Sequence, residues 1–279
     1  MTASRRRSTS PQTQQELGAA FLALHEGEPF VIPNPWDAGS AKVLEALGFR
    51  ALASTSSGFA FTLGRLDGGA TLDEVVEHTA VLASATALPV AIDLENGYGP
   101  QPVDAATAVT RAAEAGAVGG SIEDWDSQGG IYALGHAVER VAAAVEAAGR
   151  LDFPFTLTAR AENHIRGNPD LDDTIQRLQA YEAAGADVLF APGLRTADEI
   201  RAVASAVSLP LNVLARPDLS FVEMTGAGAQ RISVGGALTW VAVSAMATAA
   251  GQMLGAGDFS ALDARPPLED WLGAGPAKR

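Results

Sequence analysis

The chain contains no cysteine, so disulfide bonds, thiolate nucleophiles and cysteine-based metal sites are all excluded. It is also poor in basic residues: 19 Lys and Arg stand against 33 Asp and Glu, and the formal net charge is −14. A negative overall field disfavours non-specific binding to nucleic acid, so we expect no nucleic-acid partner. An anionic substrate would need a local cation of its own.

Long apolar runs are scarce as well, although hydrophobic residues make up 47% of the chain and the mean hydropathy is +0.11. The nearest candidate for a membrane span, residues 237–254, contains Thr, Ser and Gln and is rich in Ala rather than Leu. We interpret it as a buried or interface helix. The polar start, residues 1–15, lacks the apolar core of a signal peptide. We therefore expect a cytoplasmic protein with no membrane contact.

The length of 279 residues is typical of one large α/β domain, since α/β barrels use about 250 residues. We expect a disordered N-terminal tail over residues 1–13, one barrel domain over residues 14–255 and a C-terminal extension over residues 256–279.

Strand-like and helix-like segments alternate along the chain. Strands are predicted at Phe30–Ile32, Ala51–Ser54, Val90–Asp93, Val118–Ile122, Phe155–Thr158, Val188–Ala191, Leu211–Leu214 and Ile232–Val234. Because strands that are separated by helices pair in parallel through right-handed crossovers, eight such units predict a closed (β/α)8 TIM barrel, an α/β fold. An open, doubly wound sheet stays as the alternative, because sequence periodicity does not report closure.

The third strand leads into the most informative stretch of the sequence, Pro89–Gly99. Side chains alternate between the two faces of a strand, so Asp93 and Glu95 point the same way at the C-terminal end, where barrel enzymes build active sites. Two such carboxylates repel each other unless a cation or a shared proton lies between them. Oxygen ligands without sulfur favour Mg²⁺ or Mn²⁺. The alternative is a helix N-cap, in which one acid accepts backbone N–H groups.

The fourth strand adds a third acid, because Glu123 follows it at the level of Asp93 in the neighbouring strand. Uncompensated like charges at this range would cost on the order of several kcal/mol. The cluster of Asp93, Glu95 and Glu123 therefore favours a bound cation over simple helix capping.

Polar residues also follow other strands. After the second strand, residues 54–59 combine hydroxyl groups with Gly58, whose backbone N–H could approach an anionic oxygen; an ordinary Ser/Thr-Gly turn is the alternative. Asn212 on the seventh strand is a candidate for substrate binding. The pair Gly235-Gly236 after the eighth strand either binds phosphate at the next helix or allows tight packing.

The fifth strand ends with a positive charge. Arg160 is predicted to clamp a substrate carboxylate or phosphate, and a structural ion pair with Glu162 or Glu123 is the alternative. His164 could act as an acid or base near neutral pH, although a lone histidine in a loop is more often a surface residue.

Several short motifs, taken in their order and spacing, resemble the isocitrate lyase and phosphoenolpyruvate mutase superfamily over about residues 30–254. They are Asn34-Pro35-Trp36-Asp37-Ala38-Gly39-Ser40-Ala41, Ser57-Gly58-Phe59, Asp67 ahead of a Leu-Asp-Glu helix start, the block from Asp93 to Gly99, Ile122-Glu123-Asp124, Ala137-Val138-Glu139-Arg140 and Arg160. The resemblance implies a Mg²⁺-dependent barrel in which a small carboxylate substrate chelates the metal. Cleavage of a C–C or P–C bond would then leave a pyruvate-type enolate.

The resemblance also implies roles for individual residues. Asp93, Glu95 and Glu123 would hold the metal, partly through water, and Asp67 would be another acid of the site. The oxyanion cradle would be Ser57, Gly58 and Phe59, and the substrate carboxylate would bind to Arg160. Asp67, Glu123 and Arg160 are therefore the expected catalytic residues. Superfamily members swap a C-terminal helix between subunits, which implies a homotetramer, a dimer of dimers, held by residues 239–254.

Departures from the superfamily motifs narrow the range of reactions that we expect. Its lyases carry a mobile Lys-Lys-Cys-Gly-His loop whose Cys protonates the leaving enolate, but residues 124–132 stand in that place and contain neither Cys nor Lys. An isocitrate or methylisocitrate lyase is therefore not expected, and the longer phosphonomutase loop is absent too. Glu95 also stands where many relatives have Asp.

We therefore expect a Mg²⁺-dependent lyase that cleaves a C–C bond of a small 2-oxo or 2-hydroxy acid, by decarboxylation or by a retro-aldol or retro-Claisen step. The alternatives are P–C chemistry, by a phosphonomutase or a phosphonate hydrolase, and a barrel without catalysis that binds a metabolite. The loop over residues 124–130 is predicted either to close over the site as a lid that carries Trp125 or to be a surface loop.

Overall fold

The structure is a computed structural model that describes residues 12–273. Residues 1–11 of the predicted tail and residues 274–279 of the predicted extension lie outside the described residues. The elements in chain order are α1 (Gln14–Leu24), β1 (Phe30–Ile32), α2 (Ala38–Ala46), β2 (Leu52–Ala53), α3 (Ser56–Thr62), α4 (Leu72–Ala85), β3 (Val90–Asp93), α5 (Pro102–Glu114), β4 (Gly119–Glu123), β5 (Trp125–Asp126), β6 (Gly130–Ile131), α6 (Leu134–Gly149), β7 (Thr156–Arg160), α7 (Leu171–Ala183), β8 (Val188–Phe190), α8 (Ala197–Ala206), β9 (Leu211–Leu214), α9 (Phe221–Gly226), β10 (Arg231–Ser233), α10 (Ala237–Ala256), a 3₁₀ turn (Ser260–Asp263) and α11 (Leu268–Leu272).

Eight parallel strands form one sheet in the order β1-β10-β9-β8-β7-β4-β3-β2. The first strand, β1, pairs with the last, β10, and the other neighbours are consecutive strands along the chain, except that the separate β5/β6 hairpin lies between β4 and β7. The two end strands meet at a seam, where the N–H of Ala53 donates to the carbonyl of Pro33 at 3.1 Å. Asn34 reinforces this seam, because its side chain donates to the carbonyl of Ser54 and accepts two N–H groups that follow β10, at 2.8 and 2.9 Å. The predicted (β/α)8 barrel is therefore confirmed, and the open sheet with a switch point is excluded.

Most outer helices begin where the sequence provides a cap. In α1, α4, α8 and α9 the N-cap hydroxyl accepts the N–H three residues on, and the Glu at that third position accepts the N–H of the cap. Gly116 and Gly185 follow α5 and α7 with φ of 108° and 96°, which ends each helix in a conformation that favours glycine. These local signals determine where those helices begin and end.

Apolar side chains pack between the strands and the ring of helices. One cluster joins β3 and β4 to α4 and α5, with Leu82, Ile92 and Ala108 all buried. A second cluster joins β8 and β9 to α7 and α8 and includes the buried Leu189 and Val203. This dense packing holds the C-terminal ends of the strands in place.

The barrel interior contains a buried polar network. The guanidinium of Arg231 on β10 donates to Asn212 Oδ1 at 2.8 Å and to Thr158 Oγ1 at 3.0 Å. A third nitrogen lies 3.0 Å from Nε2 of His25. Burial lowers the pKa of Arg231 to about 9. Burial and, next, the charge of Arg231 lower the pKa of His25 to about 3, so His25 is neutral and accepts the hydrogen bond.

Two local elements differ from the sequence prediction. Residues 56–62, expected as a polar loop, form the short helix α3, because the hydroxyl of Thr55 caps it by accepting the N–H of Gly58 at 3.4 Å. Residues 125–131 form the β5/β6 hairpin, in which Asp126 Oδ1 accepts two N–H groups of the turn at 2.7 and 3.0 Å. Both elements lie next to the acidic cluster.

Helix α10 is exposed along most of its length, and Thr239 is its single buried residue. Among the described residues it is the one helix that is long and apolar enough, by length and composition alone, to cross a membrane. That criterion is weak, because core helices of other proteins also meet it.

Candidate active site

A cavity of about 420 Å³, the site cavity, opens at the C-terminal ends of β3, β4 and β7. Its lining comprises Ser56, Asp67, Gly68, Glu95, Asn96, Tyr98, Gly99, Glu123, Trp125, Asp126, Ser127, Gln128, Arg160 and Arg166. A smaller space of about 50 Å³ lies deeper in the barrel and is lined in part by Asp93, Asn212 and Arg231. Arg160 lines both spaces, so it separates the site cavity from the polar interior.

Asp93 ends β3 with both carboxylate oxygens already engaged. Its Oδ1 accepts from Arg160 at 2.8 Å and from the N–H of Glu95 at 3.2 Å. Its Oδ2 accepts from the N–H of Ser56 at 3.3 Å. The side chain is therefore held between the start of α3 and β7, in one fixed orientation.

Glu95 lies on the turn after β3 and takes a left-handed conformation, with φ of 46°. Burial, the charge of Asp93 and then the charge of Asp67 together raise the pKa of its carboxyl to about 7. Tyr98, also left-handed with φ of 62°, donates to Glu95 Oε1 at 3.4 Å. Such strained positions are typical of functional sites. Glu95 is thus a desolvated carboxylate whose neighbours carry the same charge.

Helix α6 holds the turn after β3 in place from outside the barrel. Arg140 is fully buried and donates to the carbonyl groups of Asn96 and Gln101, with its guanidinium 4.7 Å from the ring centre of Tyr132. His136 lies 2.7 Å from the carbonyl of Pro100. These contacts fix the backbone that carries Glu95 and Tyr98.

Arg160 is the cation at the base of the site cavity, with 14% of its side chain exposed. Its guanidinium nitrogens lie 2.8 Å from Asp93, 2.8 Å from Glu123 and 2.7 Å from Glu162. The structural ion pair that the sequence left open is therefore present with both predicted partners and with Asp93. Burial raises the pKa of Glu123 well above its usual range, against the opposing charge of Arg160.

The base of the β5/β6 hairpin is anchored by Asp124. This buried carboxylate accepts from Arg177 at 3.0 Å, from the hydroxyl of Tyr181 and from the N–H of Glu162 at 2.8 Å. At the tip, Asp126 Oδ2 accepts from Asn96 and from Tyr132 at 3.2 and 3.1 Å. The segment is thus an ordered wall of the site cavity.

The site cavity brings together Asp67, Glu95, Glu123 and Arg160, with Asp93 at its base. Its lining does not include the predicted oxyanion residues Ser57, Gly58 and Phe59. In helix α3 the N–H of Gly58 is bonded to Thr55 Oγ1 and that of Phe59 to the carbonyl of Thr55, so neighbouring Ser56 supplies the N–H that faces the acids. These N–H groups are occupied because Thr55 caps a helix here. The hydroxyl-rich sequence did not show whether this segment forms a capped helix or a loop.

Asn212, predicted to bind substrate, lies in the polar interior below the site cavity. Its side chain is 1% exposed, donates to Ser233 at 3.0 Å and accepts from Arg231. His164 is buried too, and among the described residues its Nδ1 has no hydrogen-bond partner. Neither residue lines the site cavity.

Sequence reasoning missed one arginine of the cavity wall. Arg166 follows β7 by six residues, and its guanidinium lies 3.6 Å from the ring centre of Trp125. Its Nε donates to Glu162 Oε2 at 2.9 Å. Alternation along the strand predicted the directions of Arg160 and Glu162, but it does not extend into the turn that carries Arg166.

The donor set fits a hard divalent cation. Within residues 12–273 no three His, Asp or Glu side chains converge closely enough to enclose a metal ion by themselves, and Arg160 lies between Asp93 and Glu123. Mg²⁺, however, usually keeps several waters and uses one or two carboxylates. Asp93, Glu95 and Asp67 offer those oxygens. The pKa of Glu95 is raised first by burial and then by the charges of Asp93 and Asp67, and a cation would relieve that repulsion.

Solved structures and curated proteins resemble this chain over most of its length. A candidate lyase/mutase from Burkholderia cenocepacia J2315 superimposes with a TM-score of 0.90 at 50% identity, covering 94% of this chain and 97% of that chain. Oxaloacetate decarboxylase from Rhodopseudomonas palustris (strain HaA2) is 31% identical over 224 residues, which cover 77% of this chain and 76% of the relative.

A third relative is 2-methylisocitrate lyase from Halalkalibacterium halodurans, 31% identical over 210 residues, which cover 72% of this chain and 68% of the relative. The family model for phosphoenolpyruvate phosphomutase matches residues 21–254, which include every strand of the barrel and all of the acidic cluster. The chain is therefore a member of the phosphoenolpyruvate phosphomutase family, within the isocitrate lyase and phosphoenolpyruvate mutase superfamily of lyases and mutases.

Proposed function

We propose that this protein is a Mg²⁺-dependent carbon–carbon lyase that acts on a small 2-oxo or 2-hydroxy carboxylic acid. The observation that carries the proposal is the acidic group of Asp67, Asp93 and Glu95 beside the buried Arg160 at the C-terminal end of the barrel. A divalent cation next to a guanidinium suits a substrate in which a carboxylate and a neighbouring oxygen both carry negative charge as a bond breaks.

In this proposal Asp93 and Glu95 hold the metal, and Glu123 holds it through water. When bound, Mg²⁺ would act as a Lewis acid that stabilises negative charge on an enolate oxygen. Arg160 has five N–H donors, and its carboxylate partners leave one on Nη1 that can orient a substrate carboxylate. Asp67 and Glu123, which both line the site cavity, are the remaining catalytic acids.

The composition of the β5/β6 hairpin supports a reaction other than that of the isocitrate-type lyases. Their proton donor is a loop cysteine, and this chain contains no cysteine at all. Trp125, Asp126 and Ser127 line the site cavity instead. Decarboxylation and retro-aldol or retro-Claisen cleavage of a small keto or hydroxy acid are the reactions that the family and this wall support together.

The test is a screen of oxaloacetate, alkylmalates, phosphonopyruvate and phosphoenolpyruvate with Mg²⁺, in which pyruvate, oxalate and phosphate are measured. We expect turnover of a C–C substrate that EDTA abolishes. Asp93→Asn should remove it, whereas Asp198→Asn, a matched change at an exposed acid on α8, should not. Turnover that persists in EDTA and in Asp93→Asn would contradict the proposal.

Phosphonate chemistry is the second candidate, favoured by the family model that matches the chain. Release of phosphate from phosphonopyruvate, or its conversion into phosphoenolpyruvate, would select it. A barrel without catalysis would instead bind oxalate with Mg²⁺ and turn over none of the four compounds. The acidic cluster argues only against a purely structural barrel, because buried like charges destabilise a fold that does not use them.

A further inference from the structure

The site cavity contains a second arginine whose donors are largely free. Arg166 is 31% exposed on its side chain and uses only Nε for a hydrogen bond, to Glu162 at 2.9 Å. Its Nη2 comes no nearer than 3.6 Å to Glu123. In the part of the chain that the structure describes, neither terminal nitrogen of Arg166 has a hydrogen-bond acceptor. Arg166 therefore lines the site cavity with two terminal nitrogens that make no hydrogen bond to the described residues.

The position of Arg166 is fixed although its terminal nitrogens are free. Trp125, from the β5/β6 hairpin, packs against the guanidinium face at 3.6 Å from the ring centre. Glu162, which is 1% exposed, holds the other side. A guanidinium that is stacked and tethered in this way loses little freedom when it binds an anion, so it is organised in advance for a ligand.

The two arginines of the site cavity differ in what they can bind. Arg160 contacts three carboxylates within 2.8 Å, whereas Arg166 contacts one at hydrogen-bond distance, Glu162, and has Glu123 at 3.6 Å from Nη2. A planar fork of two N–H donors matches a carboxylate in bidentate geometry. Four acids also line the site cavity, and they would repel a doubly charged phosphoryl group at this wall more strongly than a singly charged carboxylate.

We propose that Arg166 binds a second carboxylate of the substrate, and so restricts the enzyme to dicarboxylates whose 2-oxo or 2-hydroxy end lies at Asp93 and Arg160. This inference rests on the proposed function, because it takes the metal end of the cavity as the place of the reacting group. The volume of about 420 Å³ lies at the small end of ligand cavities and accommodates a short dicarboxylate. Arg166 is thus a specificity-determining residue, and Trp125 is its platform.

The experiment compares three probes by calorimetry in the presence of Mg²⁺: oxalate, lactate and malate. Lactate and malate share a 2-hydroxy acid end, and only malate carries a second carboxylate beyond it. We expect the wild-type protein to bind malate about 10-fold to 100-fold more tightly than lactate, because a charge-assisted hydrogen bond to a carboxylate contributes that much. Arg166→Gln should reduce this ratio to near one and leave oxalate affinity unchanged.

Arg195→Gln, a matched change at an exposed arginine outside the site cavity, should leave the malate-to-lactate ratio as it is. Trp125→Phe should keep most of the ratio because it retains an aromatic face, and Trp125→Ala should lose part of it. Equal ratios in wild type and Arg166→Gln would overturn the inference about Arg166. If oxalate binds with Mg²⁺ in that case, the proposed function still stands; failure of oxalate to bind would count against the proposed function instead.

Discussion

At the scale of single residues, the direction of a side chain decides whether it reaches the site cavity. Asp93 accepts from Arg160, Ser56 and Glu95, so it is the acid on which the rest of the cluster depends. Asp93→Ala should abolish Mg²⁺ binding and leave the fold intact, because Arg160 keeps Glu123 and Glu162 as partners.

Calorimetry tests that expectation, and a loss of Mg²⁺ affinity on the order of 100-fold or more is the expected result. Circular dichroism and a thermal scan check that the variant stays folded. Asp198→Ala serves as the exposed control, since its side chain is 93% exposed on α8. An Mg²⁺ affinity that is unchanged in Asp93→Ala would reject the site.

A second residue-scale prediction concerns His78 on α4, which stacks on the ring of Phe59 with centres 4.0 Å apart. Burial lowers the pKa of His78 to about 4, opposed in part by the charge of Asp37. The unfolded chain, with a histidine pKa near 6.5, therefore takes up the proton first as the pH falls. The stability that the neutral histidine contributes is fully present above about pH 6.5. It decreases by about 1.4 kcal/mol per pH unit as the pH falls from there to about 4.

Urea unfolding of wild type and His78→Leu at pH 7.5, 6.5, 5.5 and 4.5 measures this effect. The difference between the two proteins cancels the titration of groups that they share, including Glu95. We expect the wild type to lose stability relative to His78→Leu as the pH falls below 6.5. A difference that does not change with pH would show that His78 is not kept neutral by burial.

The residue scale also shows what the sequence could and could not predict about the site. Strand alternation predicted that Asp93, Glu123 and Arg160 converge, because backbone geometry alone fixes those directions. The sequence did not show that the side chain of Asn212 accepts a hydrogen bond from Arg231 on the neighbouring strand, below the site cavity. Alternation could not reach Arg166, because a turn has no fixed period.

At the scale of elements, the β5/β6 hairpin occupies the stretch where the superfamily resemblance implies a cysteine loop in lyases. The sequence predicted a segment that could hinge, but the strand pairing and the contacts of Asp126 came only from the structure. Pairing of two-residue strands leaves no periodic signal, since alternation needs at least four residues to be recognised. The eight barrel strands alternate with helices along the chain, and that alternation carried a much stronger signal.

The hairpin is also where a lid would act. If it closes over the site cavity, Trp125 fluorescence should change when oxalate, a mimic of the pyruvate enolate, binds with Mg²⁺. Trp125→Ala should lower turnover on the order of ten-fold and Mg²⁺ affinity far less, because water then enters the cavity during the reaction.

Trp125→Phe assigns the fluorescence signal among the four tryptophans of the chain. Turnover is measured on the substrate that the screen identifies. Wild-type turnover in Trp125→Ala would mean that the hairpin is a static wall.

At the scale of the whole molecule, helix α10 is apolar yet exposed along most of its length in a single chain. Trp240, Val241, Met246 and Leu254 are 44%, 66%, 62% and 92% exposed, and these four side chains are large and apolar. Exposed apolar area of this extent marks an interaction surface. We expect α10 to pack on other subunits in a homotetramer.

Light scattering should then give four times the mass of one 28.6 kDa chain. Val241→Asp combined with Met246→Asp should dissociate the assembly, because a buried unpaired charge opposes association. Val103→Asp, the same change at a valine of α5 that is 64% exposed, is the matched control. A wild-type mass near one chain would contradict the prediction.

The seam between β1 and β2 is the place where local opening of the barrel should begin. One backbone hydrogen bond, from Ala53 to Pro33, joins these strands, while the side chain of Asn34 ties Ser54 to the residues that follow β10. Local opening of a sheet begins where the fewest hydrogen bonds must break at once. Amide hydrogens beside the seam should therefore exchange with solvent deuterium before those of β4 and β7, which pair over five residues. The strand that leads into α3 and Ser56 would loosen first, so the barrel opens on the side where the site begins.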